Sequence, residues 1–252
     1  MHRFFYPNLT TTSTKIALTD LKEIHHLKNV LRLKTGTPLK IFNGKGEEAH
    51  GTIVALQKNQ VDIAIDSCIK EKAFPKIIIA LACALPKKAK FEFIIEKVTE
   101  LGVDEIITLQ TTRTEVKIPV AKLDRKMKRF ETIAINAAKQ CKRKTIPKIY
   151  PVMSLTDILN AANPQTIIFI PHLTEPRRGL VKELQNTSTY RRILFLIGPE
   201  GDFSPEEVRK ATSKGCIPIT LGQNVLKVDT AAITVVATAQ LILNSQNQST
   251  NL

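Results

Sequence analysis

Acidic residues are scarce in this chain: 23 Asp and Glu stand against 37 Lys and Arg, a formal net charge of +14 over 252 residues. An excess that large implies a polyanionic partner, and in a chain without an amphipathic membrane anchor nucleic acid is the natural one. Cysteine is sparse as well. Cys68, Cys83, Cys141 and Cys216 are scattered, with no Cys-x-x-Cys spacing, so neither a disulfide framework nor a zinc site is expected. No apolar run approaches the roughly 18 residues that a membrane span requires. The opening Met1 to Pro7 lacks the apolar core and small-residue cleavage site of a signal peptide. The expectation is a cytoplasmic protein with no membrane association and no metal. Also missing are the Walker loop and the Gly-x-Gly-x-x-Gly fingerprint, which leaves ATP, GTP and NAD unsupported. Internal repeats are absent, and the one biased stretch is a polar end from Asn244 to Asn251.

What is present is ordinary globular chemistry, 43% hydrophobic and 24% charged, enough for one large domain or two modest ones. Residues 1 to about 70 carry short alternating segments, Pro38–Phe42, Gly51–Leu56 and Val61–Ile65, separated by turn signals such as Asn43-Gly44-Lys45-Gly46. They predict a small antiparallel β-domain. Thr19 to Arg32 reads as a short helix within it, capped by Thr19 or Asp20. His25 and His26 are polar residues of that helix rather than metal ligands. Glu71–Pro75 is a plausible linker. Beyond it strands and helices alternate: strands at Ile77–Ala82, Val103–Leu109, Lys148–Val152 and Thr166–Ile170, and helices at Lys90–Leu101, Leu155–Ala161, Arg178–Leu184 and Thr230–Leu243. This rhythm predicts an α/β domain built on a largely parallel sheet with helices on both faces.

The positive charge is concentrated. Lys122 to Lys148 holds ten basic residues against Asp124 and Glu131, a net +8. Leu123, Met127, Phe130, Ile133/Ala134, Ala137/Ala138 and Cys141 recur at helical spacing through the same stretch. The segment reads as one amphipathic helix with a packed face and a basic outer face. Such a face lies well against phosphates, and binding through several of them falls steeply with salt.

The most informative run is Ile193 to Glu207. Five apolar residues read as a buried strand, Gly198, Pro199 and Gly201 break it, and Ser204-Pro205-Glu206-Glu207 opens a helix with a capping Ser, Pro at the first position and Glu at the third. A second strand, Ile217–Thr220, ends near Gly222. Two such adjacent strand ends predict one pocket at the carboxyl edge of the sheet, where open α/β folds hold their ligands. His172, just past the strand Thr166–Ile170, stands near that expected pocket.

Leu196 to Ser204, followed by Leu221-Gly-Gln-Asn-Val-Leu-Lys-Val-Asp-Thr-Ala231, resembles the knotted methyltransferases of the SPOUT class, and more closely the family of ribosomal RNA small subunit methyltransferase E. His26-Leu-Lys-Asn-Val-Leu-Arg32 is similar to that family's N-terminal His-x-x-x-Val-Leu-Arg signature. Further blocks lie at Leu85-Pro-Lys-Lys88, Glu100-Leu-Gly-Val103, Arg113-Thr-Glu-Val-Lys117 and Gln140 to Pro147, so the likeness covers nearly the whole chain. The resemblance implies an N-terminal PUA-like RNA-binding β-barrel over residues 1–72, a trefoil-knotted α/β methyltransferase domain over 73–246 and a polar tail at 247–252. It also implies a homodimer, S-adenosylmethionine as cofactor, and methylation of N3 of one uridine in 16S rRNA at the decoding region of the small ribosomal subunit. Carried onto these positions, it places the cofactor against Leu196, Gly198, Glu200, Gly201, Leu221, Gly222, Val225 and Leu226. Lys227 and Asp229 are the candidate catalytic residues, and Arg3, Arg32, Arg113, Lys117 and Arg143 the candidate RNA contacts.

The chain departs from the family pattern at named positions. Where the family reads Arg-x-Leu-Arg-x-Glu-Thr, this chain has Asn224, Lys227 and Asp229. Asp202 replaces the second glycine of the loop, and Lys139 stands where a Glu is usual. Lys227 keeps the charge but loses the planar fork of Arg. Two alternatives therefore stay open: a catalytically impaired RNA-binding or ribosome-assembly protein on the same scaffold, and a tRNA methyltransferase of the same class.

Overall fold

A computed structural model describes residues 1–70, 77–87, 90–172, 178–187 and 189–249. The chain forms two compact units, one of residues 1–74 with 138–146, the other of 75–137 with 147–252. The linker expected at Glu71–Pro75, and with it the boundary at 72/73, lies outside the described residues.

The first unit is a five-stranded sheet in the order β1-β3-β4-β5-β2, with β1 (Arg3–Phe5), β2 (Lys15–Leu18), β3 (Pro38–Phe42), β4 (Glu47–Leu56) and β5 (Val61–Lys70). All neighbours pair antiparallel except β1 on β3. The three predicted strands are present, β3 with the expected bounds and β4 and β5 longer than the alternation suggested, while the edge strands β1 and β2 are too short to show a period. Leu39, Ile41, Ile53, Val61 and Ile63 turn inward over a core with Phe4, Leu18 and Leu27. Helix α1 (Leu21–His25) starts at Asp20, whose carboxylate accepts from the N–H groups of Lys22 and Glu23. It then widens into a π-turn over His26–Val30, and Arg32 follows at a φ of +52°.

Residues 138–146 belong to this unit for a reason invisible in the sequence. Arg3 Nη1 donates to the carbonyls of Ala138 and Arg143 at 2.8 Å each, its Nε donates to Glu48 Oε2 at 2.9 Å, and its guanidinium lies 3.9 Å from the Phe42 ring centroid. Lys139 forms a largely buried pair with Glu23 at 2.7 Å, so the lysine found where the family has Glu meets an anion on α1. Thr145 bridges to Gly44 and Lys45.

The second unit is a seven-stranded, wholly parallel sheet in the order β10-β12-β9-β11-β6-β7-β8. Its strands are β6 (Ile78–Ala84), β7 (Glu105–Gln110), β8 (Lys148–Ser154), β9 (Thr166–Pro171), β10 (Arg178–Gly179), β11 (Arg192–Ile197) and β12 (Ile217–Thr220). Its helices are α2 (Lys90–Glu100), α3 (Leu123–Gln140, whose last three residues fall in the first unit), α4 (Leu155–Ala161), α5 (Leu180–Leu184), α6 (Pro205–Ser213) and α7 (Val228–Ser249). The central strands β6, β9 and β11 are buried along nearly their whole length, which explains why they read as unbroken apolar runs.

Two expectations change here. Helix α3 stops at Gln140, so Lys142, Arg143 and Lys144 sit in the following turn, with Lys142 at a φ of +63°, and Lys148 begins β8. The basic cluster is thus a helix and a loop, not one helix. Of the expected packed face, Phe130, Ala134, Ala137 and Ala138 are buried, while Leu123, Met127, Ile133 and Cys141 are half-buried. The second change concerns α7. Val228–Gln246 is long and apolar enough to cross a membrane by length and composition, although no single apolar run in the sequence suggested it. Its Ala232, Val235, Val236 and Ala239 are buried, and the helix packs on α2, α5, β6 and β11.

Candidate functional site

A cavity of about 500 Å³ opens at the carboxyl edge of the parallel sheet. Its volume suits a small-molecule ligand. The two strand ends singled out by sequence both reach it, but they are not adjacent: β9 lies between β11 and β12. Three strand ends therefore form the wall, and β9 contributes Pro171 and His172. The backbone N–H of His172 donates to Ile219 O at 3.1 Å and ties this end to β12.

The loop after β11 is tightly specified. Gly198 stands at a close approach, since a Cβ there would lie 3.1 Å from the Phe203 ring. Phe203 is buried beneath the loop. Asp202 N–H closes a turn onto Pro199 O at 2.9 Å, and Lys87 N–H donates to Glu200 Oε1 at 2.9 Å. The predicted capping box on α6 is present: Ser204 Oγ accepts from Glu207 N–H, and Glu207 Oε2 accepts from Ser204 N–H. The same Glu207 reaches Thr112 through Oε1, so α6 and the segment after β7 are held together.

Asp202 adopts a φ of +59°, a conformation natural for the glycine usual in the family. Asp is among the few side chains that tolerate it, because a short polar group can bond locally. Here Oδ1 accepts from Phe203 N–H at 2.7 Å, and Oδ2 lies 3.2 Å from His172 Nδ1. The departure thus creates a contact between two walls of the cavity. On the β12 side, Gly222 has a φ of +123°, which demands glycine, and its N–H and carbonyl both bond the Thr220 hydroxyl.

Of the eight positions expected at the cofactor, Gly198, Glu200, Leu221, Gly222, Val225 and Leu226 line this cavity. Val225 stands at its rim, 74% exposed. Leu196 and Gly201 do not line it. Leu196 points into the core formed by Ala82, Leu109, Ile170 and Phe203, and Gly201 faces Arg113. Lys227 and Asp229 both line the cavity, as does Asn224. Lys227 is exposed and has no carboxylate partner among the described residues. Asp229 is paired with Lys90, whose Nζ lies 3.2 Å from Oδ2. Burial alone would raise the Asp229 carboxyl, but the Lys90 hydrogen bond, the N–H groups of Asp229 and Thr230 and the Lys90 charge outweigh it and hold the group below the usual carboxylate range. Lys87, Lys90, Pro171 and Asp202 were not singled out as site residues. Of these, Lys87 and Asp202 fall in blocks quoted for the resemblance, but only the tertiary fold brings α2 to α7.

Cys83, fully buried, has its thiol pushed well up by burial and by the Glu200 and Asp229 charges, and burial alone pushes Cys216 up to about 12. Both thiols stay protonated, and all four cysteines are free. No cluster able to hold a metal occurs among the described residues.

The candidate RNA contacts separate into two groups. Arg32 and Lys117 are exposed. Arg3 is not available to a ligand: its side chain is 6% exposed and committed to Glu48 and two carbonyls. Arg113 is exposed but commits Nη1 to Gly201 O at 2.7 Å and Phe203 O at 3.3 Å, fixing the loop after β11. Arg143 is half-buried, its Nε donating to Thr145 Oγ1. On α3, Lys126 and Arg129 both grip Glu92, while Arg125 and Lys128 stay exposed.

A parallel α/β unit with a cavity at its carboxyl edge and a separate small β unit are the parts of a SPOUT-class RNA methyltransferase carrying a PUA domain, and comparison with known proteins places the chain in that class. A model of the RNA methyltransferase domain matches residues 73–240, and one of the RNA methyltransferase PUA domain matches 18–66. The chain belongs to the family of ribosomal RNA small subunit methyltransferase E. The family member of Rickettsia conorii is 28% identical over 96% of both chains. That of Buchnera aphidicola from Acyrthosiphon pisum is 31% identical over 86% of this chain and 84% of its own. Among solved structures, a Legionella pneumophila chain described as a methyltransferase, in complex with bound SAM, superposes with a TM-score of 0.84 at 32% identity, covering 95% of this chain and 96% of that one.

Proposed function

We propose that this protein methylates N3 of one uridine in 16S rRNA, at the decoding region of the small ribosomal subunit in the cytoplasm, with S-adenosylmethionine as methyl donor. The observation that carries the reading is the cavity at the carboxyl edge of the sheet, where Lys227 and Asp229 meet the two glycine-bearing loops. The residues present fit the cofactor. Leu221 and Leu226 offer apolar walls, and Gly198 and Gly222 line the same cavity. Bound there, S-adenosylmethionine supplies an activated methyl group. The protein's own task is to orient the base and manage charge and proton. Methylation replaces N3–H by N3–CH3, so the N3 proton must leave. Lys227 is the cation that stabilises the negative charge developing on the uracil carbonyls, and Asp229 is the acceptor of the N3 hydrogen. Assembly as a homodimer is part of this reading.

Mass spectrometry of nucleosides from the 16S rRNA of a deletion strain tests the proposal. Loss of 3-methyluridine and its return on complementation are expected, whereas its persistence without the gene would sink the idea. Calorimetry with S-adenosylmethionine separates an enzyme from an inert RNA binder, which would give no heat.

The basic cluster makes a second prediction. Lys122, Arg125 and Lys128 are exposed cations that no buried partner requires. Changing the three to Glu is expected to weaken RNA binding and flatten its dependence on salt, by about 0.7–0.9 in the log–log slope for each phosphate no longer neutralised. Lys126 and Arg129 are spared because they hold Glu92. An unchanged slope in filter-binding titrations would remove α3 from the interface.

A further inference from the structure

Among the described residues lining the cavity, one buried side-chain polar atom lacks a hydrogen-bond partner: Oδ1 of Asp229. The other oxygen of that carboxylate is taken by Lys90. Lys90 is the first residue of α2 and Asp229 the second of α7. An anion at a helix start is well placed, but a cation there opposes the helix dipole. The lysine therefore gains nothing from its own helix and is held at this spot by Asp229. Both side chains line the cavity, at 39% and 20% exposure.

We propose that Lys90 is a positioning residue of the methyl-transfer site: by binding Oδ2 of Asp229 it holds that carboxylate at the cavity wall, where it accepts the ring N–H hydrogen that methylation removes. The inference rests on the function proposed above. In the step, the N3–H bond gives way to an N3–C bond, the C–S bond to the methyl group breaks with its electrons going to sulfur, and the proton passes to Asp229 and then to water. The charged and titratable groups that line the same cavity are Lys87, Lys90 from α2, His172 just past β9, Glu200 and Asp202 from the loop after β11, and Lys227 just before α7, while the buried Cys83 of β6 feels the Asp229 charge. Lys90 is the one that bonds the carboxylate directly. Without it the burial that raises Asp229 remains and its main opponent is gone, so the carboxyl titrates higher. A carboxylate with a depressed pKa is active above that pKa and loses its role as pH falls through it. The acid limb of the rate profile therefore moves to higher pH when Lys90 is removed.

The test compares wild type with Lys90→Met, Lys90→Arg, Asp229→Asn and the double variant Lys90→Met/Asp229→Asn, each checked for folding by circular dichroism. Four readouts are taken: the titration midpoint of the Asp229 carboxyl by carbon-13 NMR in the cofactor-free chain, the Kd for S-adenosylmethionine, kcat on small ribosomal subunits from the deletion strain, and the pH profile of kcat. Lys90→Met is expected to raise the midpoint, move the acid limb up and lower kcat about ten- to hundredfold, with the cofactor Kd little changed. Lys90→Arg should restore most of the rate, and Lys90→Met should add almost nothing on top of Asp229→Asn. A wild-type chain that transfers no methyl group overturns the function itself. A wild-type chain that does so, beside a Lys90→Met variant with an unchanged midpoint and acid limb, overturns only the role of Lys90, as does an independent further loss in the double variant.

Discussion

Arg3→Met is expected to destabilise the N-terminal unit by about 3–5 kcal/mol, the range for removing one partner of a buried ion pair. The substitution keeps an apolar stem of similar length and removes every polar contact. Glu48 keeps Lys40 at 3.0 Å but loses Arg3 at 2.9 Å, and the carbonyls of Ala138 and Arg143 lose their donor. The stacking on Phe42 goes as well. Segment 138–146 is the part most exposed to this loss, because Arg3 reaches from β1 to Ala138 and Arg143 within it. Hydrogen exchange of the β3 and β4 amides, followed along a denaturant series, measures the effect in this unit rather than in the whole chain. A change within about 0.5 kcal/mol, the level of an ordinary surface substitution, would show that the guanidinium is not structural. The acid limb carries a second signature. Burial raises the Glu48 carboxyl, and Lys40 with Arg3 more than reverses this, so its pKa in the folded state is depressed. The stability it contributes is present above the unfolded Glu value of about 4.3 and is lost as pH falls through the depressed folded value. Without Arg3 the folded value moves back up, and the remaining stability is lost at higher pH.

Lys227→Ala is expected to lower the single-turnover rate of methyl transfer by about 10²–10³-fold, the usual loss when one preorganised donor at a developing anion is removed. RNA affinity should change far less, because one exposed cation is a small share of a +14 surface. The reason for expecting the split is geometric. Lys227 lines the cavity beside the Asp229 carboxylate and has no carboxylate of its own among the described residues, so its charge is not used by the fold. Lys227→Arg, which restores the residue usual in the family, is the companion variant and should keep most of the rate. Equal losses in rate and in filter-binding affinity for Lys227→Ala would assign this lysine to RNA binding alone.

The departures from the family pattern become intelligible one at a time. Asp202 occupies a backbone conformation suited to glycine and offsets the strain with bonds to Phe203 and His172. Lys139 faces Glu23. Asp229, one methylene shorter than Glu, still meets Lys90. Nothing in the structure explains Asn224.

Much of this protein was legible in its sequence because it is locally encoded. The apolar run of β11, the capping box of α6 and the span of α4 depend on residues a few positions apart, and each is present as expected. The loops after β11 and β12 were legible for the same reason: glycine, proline and a capping serine act on their own backbone. The order of strands was not. That β9 separates β11 from β12 and brings His172 to the cavity follows from which buried faces pack best over the whole sheet. The burial of Arg3 and the pairing of Lys90 with Asp229 join residues 135 to 140 positions apart. A charge in the sequence carries no mark of whether it will face solvent, a phosphate or a carbonyl. Only the tertiary structure decides that, because the energy of a charge depends on its surroundings rather than on its neighbours along the chain.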